Sequence, residues 1–263
     1  MFIKFLKISG YSLIVLLGAV FLYFNYTAFT GGIDKVFYVH GIKYKSEGNL
    51  EKALTFLNLA VKIDPYDHEI YMTRGDVYFE IEEYENAISD YMKAKELYSG
   101  RWNLDKADKY IALANLSGEI AKDPGNAELY WKRACINLGK NFWFFSAKLD
   151  KAISDCTKAI ELDPNFQEAY NTRGVAHSRK NSWMCKDFYD DAIADLKKAI
   201  ELKPGDVIPY FNLAEALYGA DRREEALETF LTYIKLGEPV NHCNVQYARN
   251  IVAKIEYGMS QHD

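Results

Sequence analysis

The stretch Lys151–Thr172, KAISDCTKAIELDPNFQEAYNT, returns forty residues later as Asp191–Pro209, DAIADLKKAIELKPGDVIP. In both copies Ala-Ile (Ala152, Ile153; Ala192, Ile193) opens an amphipathic helix, and a second Ala, Ala159 or Ala199, follows seven residues after the first. A Pro ends each helix, Pro164 or Pro204, and a Tyr follows six residues on, Tyr170 or Tyr210. Recurrence at a fixed period points to units that cannot bury their apolar face alone and must stack on their neighbours. Here the units are helical, so the expected architecture is a helical solenoid.

The same marks run outward in both directions. An aromatic opens a helix, a small residue follows at the fourth position, and a second helix carries Ala, a bulky residue four on, Ala seven on, and then Pro. Repeat 1 has Phe37, Gly41, Tyr44, Ala53, Leu57, Ala60 and Pro65. Repeat 2 has Tyr71, Gly75, Tyr78, Ala87, Tyr91 and Ala94, lacks the Pro and ends at Ser99-Gly100, with Ala53 and Ala87 34 residues apart. Repeat 3 has Tyr130, Ala134, Ala152, Cys156, Ala159 and Pro164, and repeat 4 has Tyr170, Gly174, Ala192, Leu196, Ala199 and Pro204. Repeat 5 returns to the short form with Tyr210, Ala214, Ala226 and Phe230. Small residues let antiparallel helices approach closely, and the aromatics fill the space between pairs.

This combination resembles the tetratricopeptide repeat over roughly residues 34–238. The resemblance implies an all-α, right-handed superhelical solenoid of antiparallel helix pairs, here preceded by one transmembrane helix. The expected layout is an anchor and linker over 1–33, two repeats over 34–98, a degenerate helical segment over 99–126, three repeats over 127–238, and a capping helix and tail over 239–263. Within the degenerate segment, Ser99–Lys122 reads as one long helix without an aromatic-small pair, where the superhelix is expected to bend. Six extra residues separate the helices of repeats 3 and 4, in Lys140–Leu149 (KNFWFFSAKL) and Lys180–Tyr189 (KNSWMCKDFY).

No charged residue lies between Lys7 and Asp34. Ile8–Phe29 is about long enough to cross a hydrocarbon core of ~30 Å as a helix, with Tyr11, Tyr23 and Tyr26 suited to the headgroup regions. An uncleaved single-pass anchor is the expectation, with the solenoid on the non-cytoplasmic side. The alternative is secretion after cleavage of a signal peptide, for which Thr30-Gly31-Gly32 is a poor cleavage site. Flanking lysines (Lys4, Lys7 against Lys35, Lys43, Lys45) barely discriminate orientation.

A net charge of −5 gives no basic footprint for nucleic acid. Cys135, Cys156, Cys185 and Cys243 lack metal-ligand spacing, and their even number permits disulfides without requiring them. His40, His68, His177, His242 and His262 form no paired motif, and no phosphate-binding loop or nucleophile elbow is present. Neither a cofactor, a metal nor an enzymatic activity is expected.

The family's concave face is lined by the first helix of each pair. By that resemblance the partner groove comprises Tyr38, Ile42, Met72, Asp76, Phe79, Trp131, Cys135, Asn171, Val175, Phe211, Glu215 and Tyr218. It is mostly apolar and aromatic, as suits a hydrophobic or amphipathic protein or peptide; packing between repeats is the competing account of each residue. The Lys/Asn clamp by which some family members grip a C-terminal carboxylate is absent, its places holding Tyr38, Ile42, Thr73, Glu128 and Lys132. The insertions gather Phe142, Trp143, Phe144, Phe145, Trp183, Met184, Phe188 and Tyr189 at one rim, either a second binding surface or a self-contained cluster. Arg74, Arg133 and Arg173 recur as Tyr-x-x-Arg-small and read as guanidinium groups laid along the helix groove on buried stems. The function expected is a membrane-anchored scaffold or adaptor that assembles or recruits a complex. The alternatives are an envelope glycan-binding or polysaccharide-export component using the insertion aromatics, and a structural spacer.

Overall fold

The structure, a computed structural model, describes residues 32, 34–98, 101–139, 146–181, 189–240 and 242–259. Ile8–Phe29 and the insertion residues Phe142, Trp143, Phe144, Phe145, Trp183, Met184 and Phe188 lie outside the described residues. Among the described residues the secondary structure is all helical. The elements are α1 (34–46), α2 (Leu50–Ile63), α3 (His68–Glu80), α4 (Tyr84–Leu97), α5 (Arg101–Lys122), α6 (Ala127–Leu138), α7 (Ser146–Leu162), α8 (Gln167–Asn181), α9 (Tyr189–Leu202), α10 (Val207–Gly219), α11 (Arg223–Gly237), a 3-10 turn (Glu238–Val240) and α12 (Val245–Met259). No described helix is long and apolar enough to cross a membrane.

The chain divides into two compact units, the division falling within α5 between Gly118 and Glu119. In the first unit, Ala53, Leu57, Ala60, Ile70 and Val77 form a core edged by Phe37, Tyr38 and Tyr44. A second cluster joins Ala87 and Tyr91 of α4 to Ala114 of α5, with Tyr110 and Ile111 packed against it. Contrary to the expectation that Ser99–Lys122 lacks an aromatic-small pair, Tyr110 and Ala114 thus take that part on the helix that follows α4. Asp123-Pro124 comes directly after α5, so what this segment lacks is a second helix.

In the second unit the pairs α6/α7, α8/α9 and α10/α11 each pack internally, and α7, α9 and α11 pack on α8, α10 and α12 in turn. First helices also touch, α6 on α8 and α8 on α10. The largest cluster runs from Ala192 through Leu213, Phe230 and Tyr233 to Ile251 and Ile255, so α12 closes the apolar end of repeat 5.

The repeat's marks have local causes. The Tyr six residues beyond the Pro donates its hydroxyl to the Pro carbonyl, Tyr130 to Pro124 (3.4 Å) and Tyr210 to Pro204 (3.2 Å), which closes the turn. Asn49, Asp67, Asn126 and Asp206 cap α2, α3, α6 and α10 through their side-chain oxygens. The small position is enforced by contact: a Cβ on Gly174 would lie 2.7 Å from Leu196 Cγ, and one on Gly75 would lie 2.8 Å from the Tyr91 ring. In the short-form repeats the turn between helices needs a left-handed residue, supplied by Gly48 (φ 74°), Glu82 (65°) and Asp221 (62°).

Candidate functional site

In repeats 1, 3 and 4 the side chain one place after the opening aromatic, Tyr38, Trp131 or Asn171, bonds across to the next first helix. In the first unit Tyr38 Oη and Thr73 Oγ1 are 3.1 Å apart. In the second, Trp131 Nε1 donates to Thr172 Oγ1 (3.0 Å), and Asn212 Nδ2 donates to Asn171 Oδ1 (2.9 Å). Thr172 in turn donates to the Glu168 carbonyl (2.7 Å), so the indole is fixed by a two-step chain. Within each unit these bonds fix the spacing of adjacent first helices, and with it the width of the face between them.

The recurring arginines are tied down rather than presented to solvent. Arg74 meets Asp90, Arg133 meets Asp155 and Arg173 meets Asp195, each through two hydrogen bonds of 2.6–3.0 Å. Arg74 and Arg173 also donate to the preceding repeat, to Asn58 Oδ1 (2.8 Å) and Thr157 Oγ1 (3.0 Å). Each guanidinium lies over its own opening Tyr, at 5.4–5.7 Å from Tyr71, Tyr130 and Tyr170. The clip therefore joins first helix, second helix and, at two sites, the repeat before. Repeat 5 has Leu213 and Thr229 in these places, beside a cavity of about 230 Å³.

The residues expected in the groove divide into several groups. Ile42 and Tyr218 are exposed, at 42% and 40%, and Cys135 is also exposed. Tyr38, Trp131 and Asn171 are half-buried in the ladder just described, and Val175 is half-buried beside Asn171. Met72 and Phe79 pack against the cluster that α5 completes. Asp76 accepts from Lys45 Nζ (3.0 Å) and from the Tyr91 hydroxyl (2.9 Å), a structural pair of bonds. Phe211 does not stand over an open face: Phe230, Tyr233 and Tyr247 surround it at centroid distances of 5.2–6.3 Å, because α12 covers this end of α10. Glu215, one turn on, has a buried Oε1 without a hydrogen-bond partner. Burial pushes its carboxyl pKa up, against an opposing contribution from Tyr247. Of the residues expected at the insertion rim only Tyr189 is described. It packs against the core of repeats 4 and 5, and its hydroxyl would lie 2.7 Å from a Cβ on Gly219.

No group of three or more His, Cys, Asp or Glu among the described residues is placed to hold a metal ion. Burial pushes the thiol of Cys156 up, which is the reverse of what an activated nucleophile needs.

One feature of the second unit went unanticipated. A cleft of about 710 Å³ opens where the turns before α6 and α8 come together, lined by Asp123, Glu128, Trp131, Asp163, Phe166 and Glu168 among others. Trp131 and Phe166 meet edge to face, 5.6 Å between centroids. Among the described residues four carboxylates and no basic side chain line the cleft. Their mutual placement depends on two turns forty residues apart, so no local pattern announces it.

Paired helices, repeated small-for-large contacts and hydrogen bonds between first helices define a helical-repeat protein. The chain belongs to the tetratricopeptide-repeat family: the tetratricopeptide repeat model matches 35–67, 68–100 and 132–166, and a second TPR model matches 188–220, together about half of the chain. No curated protein matches the sequence. Among solved structures the chain is similar to yeast Tom70, at 20% identity over 80% of this chain and 44% of that one, with a TM-score of 0.49. It is also similar to the TPR2AB domain of yeast Sti1, solved as a pHSP90 complex (21% identity, 86% and 99% covered, TM-score 0.38). YrrB, described as a TPR protein with an unusual peptide-binding site, gives 19% identity, 81% and 90% coverage and a TM-score of 0.40. At these values none of the three likenesses carries an argument about this chain.

Proposed function

We propose that the chain is a membrane-anchored tetratricopeptide scaffold whose first-helix faces bind a protein or peptide partner, and that it assembles or recruits a complex. The observation that carries the reading is the ladder Tyr38–Thr73, Trp131–Thr172 and Asn171–Asn212. It fixes the first helices laterally and leaves Ile42, Cys135 and Tyr218 exposed beside it. A rigid face with exposed apolar positions loses little entropy on receiving a partner. The anchoring half of the proposal rests on the uncharged run Ile8–Phe29. The solenoid then lies on the non-cytoplasmic side.

The test is site-specific photo-crosslinking in intact cells of the source organism. A benzophenone amino acid at Ile42 or Tyr218 is expected to give a discrete adduct. The same group at Met92 or Leu231, exposed positions on second helices, is expected to give none. Adducts independent of position, or no adduct from either face, would overturn the scaffold reading.

A further inference from the structure

The cleft between the starts of α6 and α8 combines two features that the packing of the repeats leaves unexplained. Carboxylates in the first turn of a helix favour its dipole, which accounts for Glu128 and Glu168 by themselves. It does not account for the open cleft beside them, lined by Phe166 and by Trp131, whose indole nitrogen is tied to Thr172 while its ring meets Phe166. The next junction of the same unit has Asn171 where this one has Trp131, Lys203 where it has Asp163, and Ile208 where it has Glu168. Ring and carboxylates are therefore not demands of the repeat.

The lining selects its occupant by charge. An acidic group would be repelled, and an apolar one would strip water from carboxylates without replacing their hydrogen bonds. Asp123 and Asp163 already accept one local bond each, from Asn126 Nδ2 (3.3 Å) and the Asn165 backbone (2.9 Å), and Glu128 is bridged to Lys132 at 2.9 Å. Glu168 has no side-chain ion pair or hydrogen bond among the described residues. A planar cation is the group that satisfies both kinds of wall, since guanidinium stacks on an aromatic face and presents donors in its plane. We propose that this cleft seats an arginine side chain of a partner protein, stacked on Trp131 and Phe166 and hydrogen-bonded by Glu128, Asp163 and Glu168. The proposal rests on the reading that the chain binds a protein partner, and it names the chemistry of that partner.

The experiment uses the full chain in detergent micelles, labelled with 5-fluorotryptophan, with the Trp131 fluorine resonance assigned through Trp131→Phe. The probes are a blocked Gly-Arg-Gly peptide and its citrulline counterpart, which has nearly the same shape and no charge. The arginine peptide is expected to shift the Trp131 resonance saturably, and the citrulline peptide to bind at least roughly tenfold more weakly. Raising salt to about 0.5 M should weaken the arginine response. The double variant Glu128→Gln, Glu168→Gln should lose at least about tenfold in affinity while keeping the wild-type circular dichroism and melting curve. Equal responses to the two peptides, no saturable shift up to about 10 mM, or full affinity in the folded double variant would each overturn the seat. A partner adduct from Tyr218 that survives in the double variant, with no arginine response, would overturn the seat alone and leave the scaffold reading standing.

Discussion

At the residue scale, the Arg–Asp clip shows how a polar pair earns its place between apolar helices. Arg173 and Asp195 are mostly covered, so removing Asp195 leaves the guanidinium with only Thr157 to accept from it and little water to replace the carboxylate. Asp195→Ala is expected to destabilise the second unit by ~1–3 kcal/mol in urea unfolding. Arg173→Leu with Asp195→Thr copies the Leu213/Thr229 arrangement of repeat 5 and should cost less than Asp195→Ala alone. A double variant as costly as the sum of its singles would show that the two groups are not coupled. The turn residues make a second case. Glu82 and Asp221 hold positive φ where repeat 1 has Gly48. A left-handed non-glycine residue is strained, so Glu82→Gly and Asp221→Gly should each add ~0.5–1 kcal/mol after the larger unfolded-state entropy of glycine is subtracted. Loss of stability in both would mean that the carboxylates contribute more than the strain.

At the scale of the element, α12 ends the array and Glu215 tests how it does so. The buried Oε1 of Glu215 lacks a partner, and burial raises the carboxyl pKa. A folded pKa above the unfolded one means the neutral form contributes stability below about 4.3, and that contribution is lost as pH rises through the folded value. Glu215→Gln should therefore melt higher than wild type near neutral pH, with the difference shrinking as the solution is acidified. A difference independent of pH would place the effect in packing rather than ionisation. Ala152 is the corresponding apolar test: it is fully buried between α6 and α7, and Ala152→Leu should cost ~1–3 kcal/mol by overpacking. Such elements were legible in the sequence because Ala152, Ala159, Pro164 and Tyr170 act within one turn or one helix of each other. Asp155 and Asp195 escaped notice as partners of Arg133 and Arg173 because 22 residues and an insertion intervene. The covering of Phe211 by Tyr247 was equally invisible, since it depends on where α12 comes to rest. Tyr110 and Ala114 carry the repeat's signature, but without a second helix after them the spacing that would reveal it is lost.

For the whole molecule, a solenoid grows by nearest-neighbour contacts and has no single core to which a membrane segment must be fitted. An apolar N-terminal run can therefore serve as a tether without altering the repeats. Ile8–Phe29 carries no charge, and its tyrosines fall toward the ends of the run. An uncleaved anchor predicts that the full chain resists carbonate extraction and that its N-terminal peptide, ahead of Lys35, is recovered from the membrane fraction by mass spectrometry. Reporters active only inside or only outside the cytoplasm, fused after Asp263, should report the non-cytoplasmic side. A polypeptide beginning at Ile33 and found in the soluble fraction would replace the anchor with a cleaved signal. An intact, extraction-resistant chain with a cytoplasmic reporter would keep the tether and reverse its direction, placing the first-helix faces and the acidic cleft before cytoplasmic partners.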